Sequence, residues 1–595
     1  MLSFGQQFRA RIVFLALVIC MLILLARLFD LQCLRFEKYR DSALQQQRSI
    51  RDVSARRGKV CDRNGVVFAI TSTRPAVWAD PGLVEDPKKT AVRLSRLIDA
   101  SAEYIYERIK NPERRFVWIE KEITDTQAIP LRILKQQKEL PGIYIRQVQH
   151  RLYPKHELLG NLIGFCNNAG EGAEGLEYQA DRYLRGMDGW LTTRKDNYSK
   201  HFFDPRWVNL QLEPEDGQDV FLTIDEYIQH ITQRELQKAA EEFKPARAMA
   251  IVMNPGTGEI LALALWPYFN PNDRSGYVPG LLRVSPVTDV FEPGSTMKVI
   301  SGAMALNEGV VTLETNIFCE NGLWQISPRR HLKDDHPMGL ISFKEIIQKS
   351  SNIGIAKSVA PIDKYLFYDY LVRFGFGTKT GIELLPGESS GLLRNPAQWT
   401  PHSKISIPMG QEIGVTALQL LTAVSTIANR GTRIKPTIVK KIVTAGGEIT
   451  PEAKRFNFFK PQVIRYNVIR RDTAEKIIQA MVSVTSEDGT GRLAEIPGYS
   501  VAGKTGTAQK FEDDRYSPTN YVSSFVGFAP ASKPAISCIV VLDSPRKKRY
   551  GGTVAAPAFK NICEETLAYL EIPKDMHDRT EQTEELRAPA LPGEE

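Results

Sequence analysis

The longest apolar run of the chain lies near its N-terminus. Every residue from 12 to 26 is apolar, and two apolar residues after Arg27 extend the run to residue 29. About 18 such residues can cross a bilayer as a helix if an arginine at one end reaches the interface. Arg9 and Arg11 precede the run without an acidic residue, and no small-x-small cleavage site follows it. The pattern therefore predicts one uncleaved membrane helix with a cytoplasmic N-terminus, in preference to a signal peptide.

The rest of the chain shows two different patterns. Up to about residue 215 short strand-like runs alternate with turns and helical pieces, whereas regular apolar elements predominate from about Asp219. Residues 248–253 and 259–264 are almost continuously apolar around an Asn-Pro-Gly-Thr-Gly turn, which predicts a hairpin covered by helices on both faces. Further strand-like runs and a final helix are expected at 523–529, 535–543 and 555–570.

These patterns predict an α+β protein with a single N-terminal transmembrane helix in the cytoplasmic (inner) membrane. An elongated mixed pedestal domain and a larger domain with an antiparallel sheet covered by helices follow, both extracytoplasmic or periplasmic. The last residues are charged, with proline and few apolar side chains, which is typical of disorder. The predicted boundaries are a cytoplasmic tail at 1–11, the transmembrane anchor at 12–29, the pedestal at 30–215, the larger domain at 219–571 and a disordered tail at 572–595.

Composition narrows the class of protein. With 595 residues, 43% hydrophobic and 25% charged, the chain is long enough for two or three globular cores. A net charge of +8 gives little reason to expect nucleic acid as a partner, and the basic residues within 48–59 are more typical of a solvated or membrane-proximal segment. The seven cysteines lack C-x-x-C spacing and neighbouring histidine pairs. No metal site and no cofactor are therefore expected, and buried free thiols are favoured over disulfides.

Three clusters of turn and charged residues stand out in the predicted pedestal, at 57–65, 151–154 and 172–186. The first holds an Asn-Gly turn signal followed by a strand-like run. Their arginines and carboxylates fit structural ion pairs at an interdomain seam, and they fit turns with surface charges as well. The sequence leaves both interpretations open.

A turn that leads into an apolar helix holds the candidate nucleophile, Ser295. Lys298 follows three residues later, about one helical turn, so its amine can reach the serine hydroxyl. An amine whose pKa is depressed by burial and by a second cation can accept the serine proton. The helix N-terminus adds backbone N–H groups that can hold an oxyanion. The same spacing at Ser544 and Lys547 includes a proline and a basic run, which is typical of a loop.

Two further short motifs follow. Ser350 and Asn352 lie between two predicted helices, where side chains can point into a cleft, although simple helix capping explains the same residues. Lys-Thr-Gly-Thr at 504–507 falls in a strand of the predicted antiparallel sheet. A second Lys-Thr-Gly begins at Lys379, directly after a glycine-rich stretch with no strand-like run around it, and is interpreted as a loop.

Ser-x-x-Lys, Ser-x-Asn and Lys-Thr-Gly, in that order, are the signature of penicillin-binding proteins and serine β-lactamases. The chain resembles a class B penicillin-binding protein, a monofunctional peptidoglycan D,D-transpeptidase, over the anchor, the pedestal clusters and nearly all of residues 219–570. Cys61 stands where that family more often has an aromatic residue. Residues 291–298 are most similar to the division-specific branch, and the elongation-type branch is the close alternative.

The resemblance implies a role for each residue in acylation. Ser295 would attack the penultimate D-alanine carbonyl of a D-Ala-D-Ala stem peptide, and Lys298 would accept its proton. Ser350 would relay a proton to the leaving D-alanine, while Asn352 would hold the amide of the donor peptide and Lys298. An amine of a neighbouring stem peptide would then resolve the acyl-enzyme.

The resemblance also implies how the substrate is bound. Lys504, Thr505 and Thr507 would bind the terminal carboxylate, with Gly506 in the same strand. The N–H groups of Ser295 and Thr507 would form the oxyanion hole. An anionic substrate needs a cation, and Lys504 close to the catalytic amine would lower the pKa of that amine.

The partners that the resemblance implies are peptidoglycan stem peptides, lipid-linked precursor strands, the membrane, and a polytopic glycan polymerase with other division or elongation proteins. β-Lactams are the expected inhibitors, and a D-Ala-D-Ala carboxypeptidase side activity is possible. A β-lactamase would share the motifs, but the anchor and long pedestal argue against one. A non-catalytic scaffold would have lost the nucleophile, and a β-lactam sensor would be expected to carry more membrane helices.

Overall fold

The computed structural model describes residues 4–195, 201–202, 211–278, 280–328, 330–456, 461–512 and 515–576. The chain forms two compact units. Unit 1 is taken from Met1–Arg56 and Gly186–Asp216, and unit 2 from Arg57–Arg185 and Gly217–Glu595. Much of the predicted pedestal therefore groups with the larger domain, and the predicted boundaries at 30–215 and 219–571 stay predictions.

Both units contain helices and strands. Up to residue 222 they are α1 (Phe4–Phe29), α2 (Phe36–Gln47), β1 (Arg48–Val53), β2 (Val60–Cys61), β3 (Val67–Ala79), α3 (Pro87–Ser95), α4 (Ala102–Ile109), β4 (Val117–Glu120), α5 (Asp125–Gln136), β5 (Ile143–Leu152), α6 (Gly160–Ile163), α7 (Gly175–Gln179), α8 (Asp181–Leu184), β6 (Gly189–Lys195), β7 (His201–Phe202), β8 (Gln211–Leu212) and β9 (Asp219–Leu222). The remaining elements are α9 (Glu226–Phe243), β10 (Arg247–Met253), β11 (Ile260–Trp266), α10 (Ser285–Thr288), α11 (Met297–Asn307), β12 (Asn316–Phe318), β13 (Leu323–Ser327), β14 (Arg330–Lys333), β15 (Leu340–Ser342), α12 (Phe343–Lys349), α13 (Asn352–Val359), α14 (Lys364–Phe374), α15 (Ser403–Ser406), α16 (Ala417–Ala428), β16 (Arg433–Ile434), β17 (Val439–Val443), β18 (Val463–Arg465), α17 (Arg471–Ser483), β19 (Ala502–Glu512), β20 (Arg515–Ala529), β21 (Ile536–Asp543), α18 (Gly551–Val554) and α19 (Ala556–Tyr569).

Unit 1 holds the apolar helix that the sequence predicts. An 18-residue stretch of the segment Phe8–Leu34 has a mean hydropathy of 3.0 and none of it is buried, so the length and composition of the segment fit a single-pass membrane anchor. The same unit contains a small antiparallel sheet in which β1, β7 and β8 all pair with β6.

One sheet of unit 2 joins strands from distant parts of the chain. Its order is β17-β9-β2-β3-β4, with β5 also paired to β3, and β2 runs parallel to β9. Arg57, Arg151 and Glu177 form a buried ion-pair cluster in this part of the unit. Both oxygens of the fully buried Glu177 carboxylate accept from arginine Nε atoms at 2.7 Å. These three charges are therefore buried ion pairs and not surface charges on turns.

The second large sheet carries the helices that the sequence predicts on both faces. Its five strands are antiparallel in the order β11-β10-β21-β20-β19, so β19 lies at one edge. Helices α9 and α19 pack on one face, where they share an apolar core with the sheet, and α16 packs on β20 and β21 from the other. The predicted α+β class and the helix-covered antiparallel sheet are confirmed.

Two expectations need correction. The predicted disorder does not begin at residue 572, because Tyr499 donates to the carbonyl of Ile572 at 2.6 Å and Ser500 N donates to Asp575 at 2.7 Å. Residues 577–595 of that predicted tail lie outside the described residues. Five of the cysteines are buried free thiols, but Cys20 and Cys33 are exposed because they lie on the apolar N-terminal segment.

Candidate active site

Ser295 lies in a short 3₁₀ turn, Gly294–Thr296, that leads directly into α11. The turn is held by two bonds: Thr296 Oγ1 donates to the carbonyl of Pro293 at 2.7 Å, and Gly294 N donates to the carbonyl of Gly410 at 3.1 Å. Gly294 has a φ of +55°, and a Cβ there would lie 3.2 Å from the Cβ of Ala508 on β19. The glycine at position 294 therefore lets the turn approach β19 closely.

Lys298 is completely buried on the first turn of α11. Its Nζ donates to the Ser350 carbonyl at 2.5 Å, to Asn352 Oδ1 at 2.6 Å and to Ser350 Oγ at 3.2 Å. Ser295 is half-buried, and in the described part of the chain no hydrogen bond joins its hydroxyl to Lys298. Three acceptors satisfy an ammonium, whereas a neutral amine donates only two bonds and keeps a lone pair for the serine proton.

Ser350 is the point where the three motifs meet. It ends α12, a helix that begins with a capping box of Ser342 and Glu345, and its φ of 62° turns the chain into α13. Its hydroxyl lies 3.2 Å from the Nζ of Lys298 and 3.0 Å from the Nζ of Lys504. A single hydroxyl therefore bridges two amines, which gives protons a short path between them.

Lys504 is also completely buried, on β19. Its Nζ lies 3.3 Å from both the carbonyl and the hydroxyl of Thr505. Burial lowers the pKa of Lys298 to about 8, although the charges of Asp334 and Asp335 oppose this. Burial and then the charge of Lys298 lower the pKa of Lys504 well below its usual range. Two like charges in a low dielectric make each ammonium a better acid.

The other residues of the third motif contact the elements that lie beside β19. The Thr505 hydroxyl lies 3.1 Å from that of Thr490, and Gly551 N donates to Thr507 Oγ1 at 3.1 Å. A Cβ at Gly506 would lie 2.3 Å from Ser524 Oγ and 2.9 Å from the Cγ2 of Thr296. A glycine is therefore needed for the nucleophile turn to contact this strand.

Asp334 is a residue of this site that the sequence reasoning missed. It follows β14, and its carboxylate accepts from Ser351 Oγ at 2.7 Å, from Asn352 N at 2.5 Å and from Ile353 N at 3.1 Å. It thereby fixes the first turn of α13, which presents Asn352 to Lys298. The only signal in the sequence is an Asp-Asp pair after a strand, which by itself does not indicate a partner.

Two stretches repeat the motifs elsewhere, at Ser544 to Lys547 and at Lys379, and these decoy motifs lie outside the site. Ser544 donates to Asp543 at 2.8 Å at the end of β21, and Lys547 is exposed. Lys379 is exposed in a loop, where Thr380 N donates to Glu388 at 2.6 Å. Within the described residues, Ser295, Lys298, Ser350, Asn352 and the segment 504–507 are brought together, whereas neither decoy contributes a bond to them.

Two known protein families match most of the chain. Residues 248–564 match the family described as penicillin binding protein transpeptidase domain, and residues 52–222 match the penicillin-binding protein dimerisation domain. Stage V sporulation protein D of Bacillus subtilis is 34% identical over 95% of this chain and 86% of its own length. Peptidoglycan D,D-transpeptidase FtsI of Escherichia coli is 32% identical over 88% of this chain and 86% of its own.

A solved structure also has a similar fold. Penicillin binding protein 3 from Mycobacterium tuberculosis, crystallised in complex with aztreonam, has a TM-score of 0.67 and 26% identity, covering 88% of this chain and 98% of that one. The two domain matches together cover most of the chain, and the two relatives align along most of their own length. Both findings indicate the same family. The chain belongs to the class B penicillin-binding proteins, the family that combines a dimerisation domain with a penicillin-binding transpeptidase domain.

Proposed function

We propose that this protein is a serine-type peptidoglycan D,D-transpeptidase that cross-links stem peptides through an acyl-enzyme on Ser295, and that β-lactams acylate the same serine. The observation that carries the proposal is the meeting of two buried amines at one hydroxyl: Lys298 and Lys504 lie 3.2 Å and 3.0 Å from Ser350 Oγ, beside the turn that holds the serine. Amines with lowered pKa values can exchange protons near neutral pH.

In the acylation step Ser295 Oγ attacks the penultimate D-alanine carbonyl while its proton passes to neutral Lys298. The N–H groups of Ser295 and Thr507 stabilise the oxyanion. The proton then moves through Ser350 Oγ to the nitrogen of the terminal D-alanine, the C–N bond breaks and D-alanine leaves. Asn352, which already accepts from Lys298 at 2.6 Å, orients the amine and the donor amide.

In the second step the amine of a neighbouring stem peptide attacks the acyl ester and gives a proton to Lys298. Lys298 passes this proton to Ser295 Oγ as the ester C–O bond breaks, which leaves the new amide and regenerates the serine. Water in place of that amine gives the carboxypeptidase side reaction. Lys504, Thr505, Gly506 and Thr507 bind the terminal carboxylate of the donor. This anion restores the charge of Lys504, because an opposite charge nearby raises the pKa of an amine.

The cellular setting is part of the same proposal. The chain is held by α1 in the cytoplasmic membrane with its N-terminus inside and unit 2 outside, and it acts on lipid-linked strands made by a polytopic glycan polymerase. The names FtsI and Stage V sporulation protein D among the relatives support a division-type role in septal wall synthesis over elongation. The pedestal at 30–215 and the catalytic domain at 219–571 are the proposed boundaries.

The test uses the full chain in detergent. After incubation with a penicillin, mass spectrometry of the intact protein and of its peptides should find one adduct, on the peptide that contains Ser295. Ser295→Ala should remain unmodified, and Ser544→Ala, which alters the decoy serine, should be labelled like the original chain. An adduct that persists in Ser295→Ala would refute the assignment of the nucleophile.

A further inference from the structure

Four consecutive basic residues, Arg546–Arg549, form the loop between β21 and α18 and have no part in the chemistry described above. All four are exposed, as is the adjacent Tyr550. Together with Tyr521 they line an open cavity of about 500 Å³. We name these four residues the basic loop. Its charge is concentrated on one side of a cavity large enough to admit part of a ligand.

The basic loop is fixed beside the candidate active site. At its start Arg546 N donates to the carbonyl of Phe243 at 2.9 Å. At its end the carbonyl of Arg549 accepts from Ser523 Oγ at 2.5 Å, and Gly551 N donates to Thr507 Oγ1 at 3.1 Å. The backbone that carries the charges is thus bonded to β20 and to a residue of the proposed carboxylate site.

The side chains of the loop fall into two groups. Arg549 is held in place, with its guanidinium 4.9 Å and 5.4 Å from the ring centroids of Tyr521 and Tyr550 and its Nη1 donating to the Tyr521 hydroxyl at 3.0 Å. Arg546, Lys547 and Lys548 form no ion pair with any carboxylate among the described residues.

Two carboxylates of the described residues near the loop, Glu512 and Asp543, are bound by a lysine outside it. Lys510 on β19 contacts both Glu512 and Asp543 at 3.1 Å. The second of these carboxylates also accepts from Ser544, directly before the loop. Among the described residues no carboxylate forms an ion pair with the basic loop, and an anionic ligand is the group that would complement its charge.

We propose that the basic loop is a binding subsite for an internal carboxylate of the peptide substrate, separate from the terminal carboxylate bound at 504–507. The inference rests on the proposed transpeptidase function and adds a specificity determinant to it. The attachment of the loop to β20 and to Thr507 favours a peptide in the cleft over an anionic lipid surface as the ligand. Arg549 forms the rigid wall of the subsite, and Lys547 and Lys548 are the adaptable charges.

The test compares two double variants of the full chain in detergent. Lys547→Gln/Lys548→Gln removes two charges from the basic loop, and Lys379→Gln/Lys533→Gln removes two exposed charges elsewhere in unit 2. The substrates are a pentapeptide ending in D-Ala-D-Ala with free internal carboxylates and the same peptide with those groups converted to carboxamides. The measured quantity is the ratio of kcat/KM values for D-alanine release from the two peptides, at low and high salt.

The original chain is expected to favour the carboxylate peptide, and Lys547→Gln/Lys548→Gln should reduce this ratio about three- to tenfold at low salt. High salt should shrink the difference, and the control variant should keep the original ratio. An unchanged ratio, or an equal fall in both variants, overturns the subsite. So does a variant that keeps the ratio but loses binding to phosphatidylglycerol vesicles, because the loop would then bind a membrane.

Failure of the proposed function gives a different pattern. If the original chain releases no D-alanine and takes up no penicillin at Ser295, the transpeptidase assignment falls. The subsite is then judged by equilibrium binding of the two peptides to the same two variants. A weaker preference for the carboxylate peptide in Lys547→Gln/Lys548→Gln alone supports the subsite, and equal affinities for both peptides in the original chain overturn it.

Discussion

Two buried groups of cationic side chains lie in unit 2 and differ in what surrounds them. In one, Arg57 and Arg151 each place Nε 2.7 Å from the carboxylate of Glu177. In the other, Lys298 and Lys504 share the neutral hydroxyl of Ser350 at 3.2 Å and 3.0 Å. The first group is balanced by an opposite charge, whereas the second keeps two like charges close together with little water.

The surroundings decide how firmly each group holds its protons. Burial pushes the pKa of Glu177 up, but Arg151 and Arg57 outweigh burial and lower it below the usual range, so the carboxylate stays charged. Burial lowers the pKa of Lys298 to about 8. Ion pairing therefore fixes charge for structure, and the lack of it leaves an amine that can give and take a proton.

The largest expected effect comes from removing the balancing charge in the first group. Glu177→Gln keeps the size of the side chain but leaves two buried guanidiniums without their carboxylate, which should cost about 3–5 kcal/mol in the free energy of unfolding. Urea denaturation followed by circular dichroism measures this cost. Asp181→Asn, at a partly exposed partner of Arg57, is the matched control and should cost less. The penicillin acylation rate of folded Glu177→Gln should stay nearly unchanged, and a large fall would show that the two groups are coupled.

Next in size is the loss of one amine from the second group. Lys504→Ala removes a cation whose contact strengthens in the transition state, which should cost about 2–4 kcal/mol, or roughly 30- to 1000-fold in acylation rate. Lys379→Ala, in the other Lys-Thr-Gly, should leave the rate nearly unchanged. Stopped-flow measurement with a fluorescent penicillin decides between them once circular dichroism shows that both variants fold. The reverse ranking would place the third motif on the wrong element.

A smaller effect is expected from the carboxylate that supports the lysine group from a distance. Asp334→Asn retains the shape of the side chain but weakens the bonds to Ser351, Asn352 and Ile353. The activation free energy of acylation should therefore rise by about 1–3 kcal/mol. Asp335→Asn also removes a charge that acts on Lys298, and it serves as the control. Equal slowing in both variants would mean that charge, and not the positioning of Asn352, is what matters.

The last effect is graded with pH. Because the pKa of Lys298 is lowered to about 8, its amine is protonated below that pH and neutral above it. The acylation rate should therefore rise about tenfold per pH unit up to pH 8 and level off above it. Rates measured from pH 6 to 9 in the original chain and in Glu177→Gln should give the same profile. A flat profile would exclude Lys298 as the titrating base.

The free energy of unfolding should depend on pH in two different ranges, an acidic range for the first group and an alkaline range for the second. The lowered pKa of Glu177 means that its contribution is lost as pH falls below the usual value of 4.5. For Lys298 the unfolded chain binds more protons than the folded one between about pH 8 and 10.5, so stability rises with pH there.

Local patterns in the sequence carry much of this fold. The apolar run at 12–26 predicts the N-terminal helix, and the capping box at Ser342 and Glu345 predicts the start of α12, because both depend on residues that are close in the chain. The strand that holds Lys504 could be predicted in the same way. The roles of the motif residues come from the resemblance to a family and not from these patterns.

What the sequence could not predict depends on distant pairs. Glu177 meets arginines 120 and 26 positions away, and no periodicity distinguishes that pairing from charges on surface turns. Lys298 and Lys504 meet at a hydroxyl that is 52 and 154 residues away from them. The lowered pKa of each amine follows from that meeting and from burial, both of which need the assembled structure.

Because β19 ends the five-stranded sheet, alternate N–H and C=O groups along its outer edge lack a strand partner within that sheet. The turn at 294–296 contacts this edge, and a peptide laid along the rest would join the sheet by strand addition. Main-chain bonds of that kind are the same for every residue type, so they fix the direction and reach of the peptide without reading its side chains. An enzyme built this way holds the backbone of its substrate with one element and leaves the recognition of side chains to the loops around it.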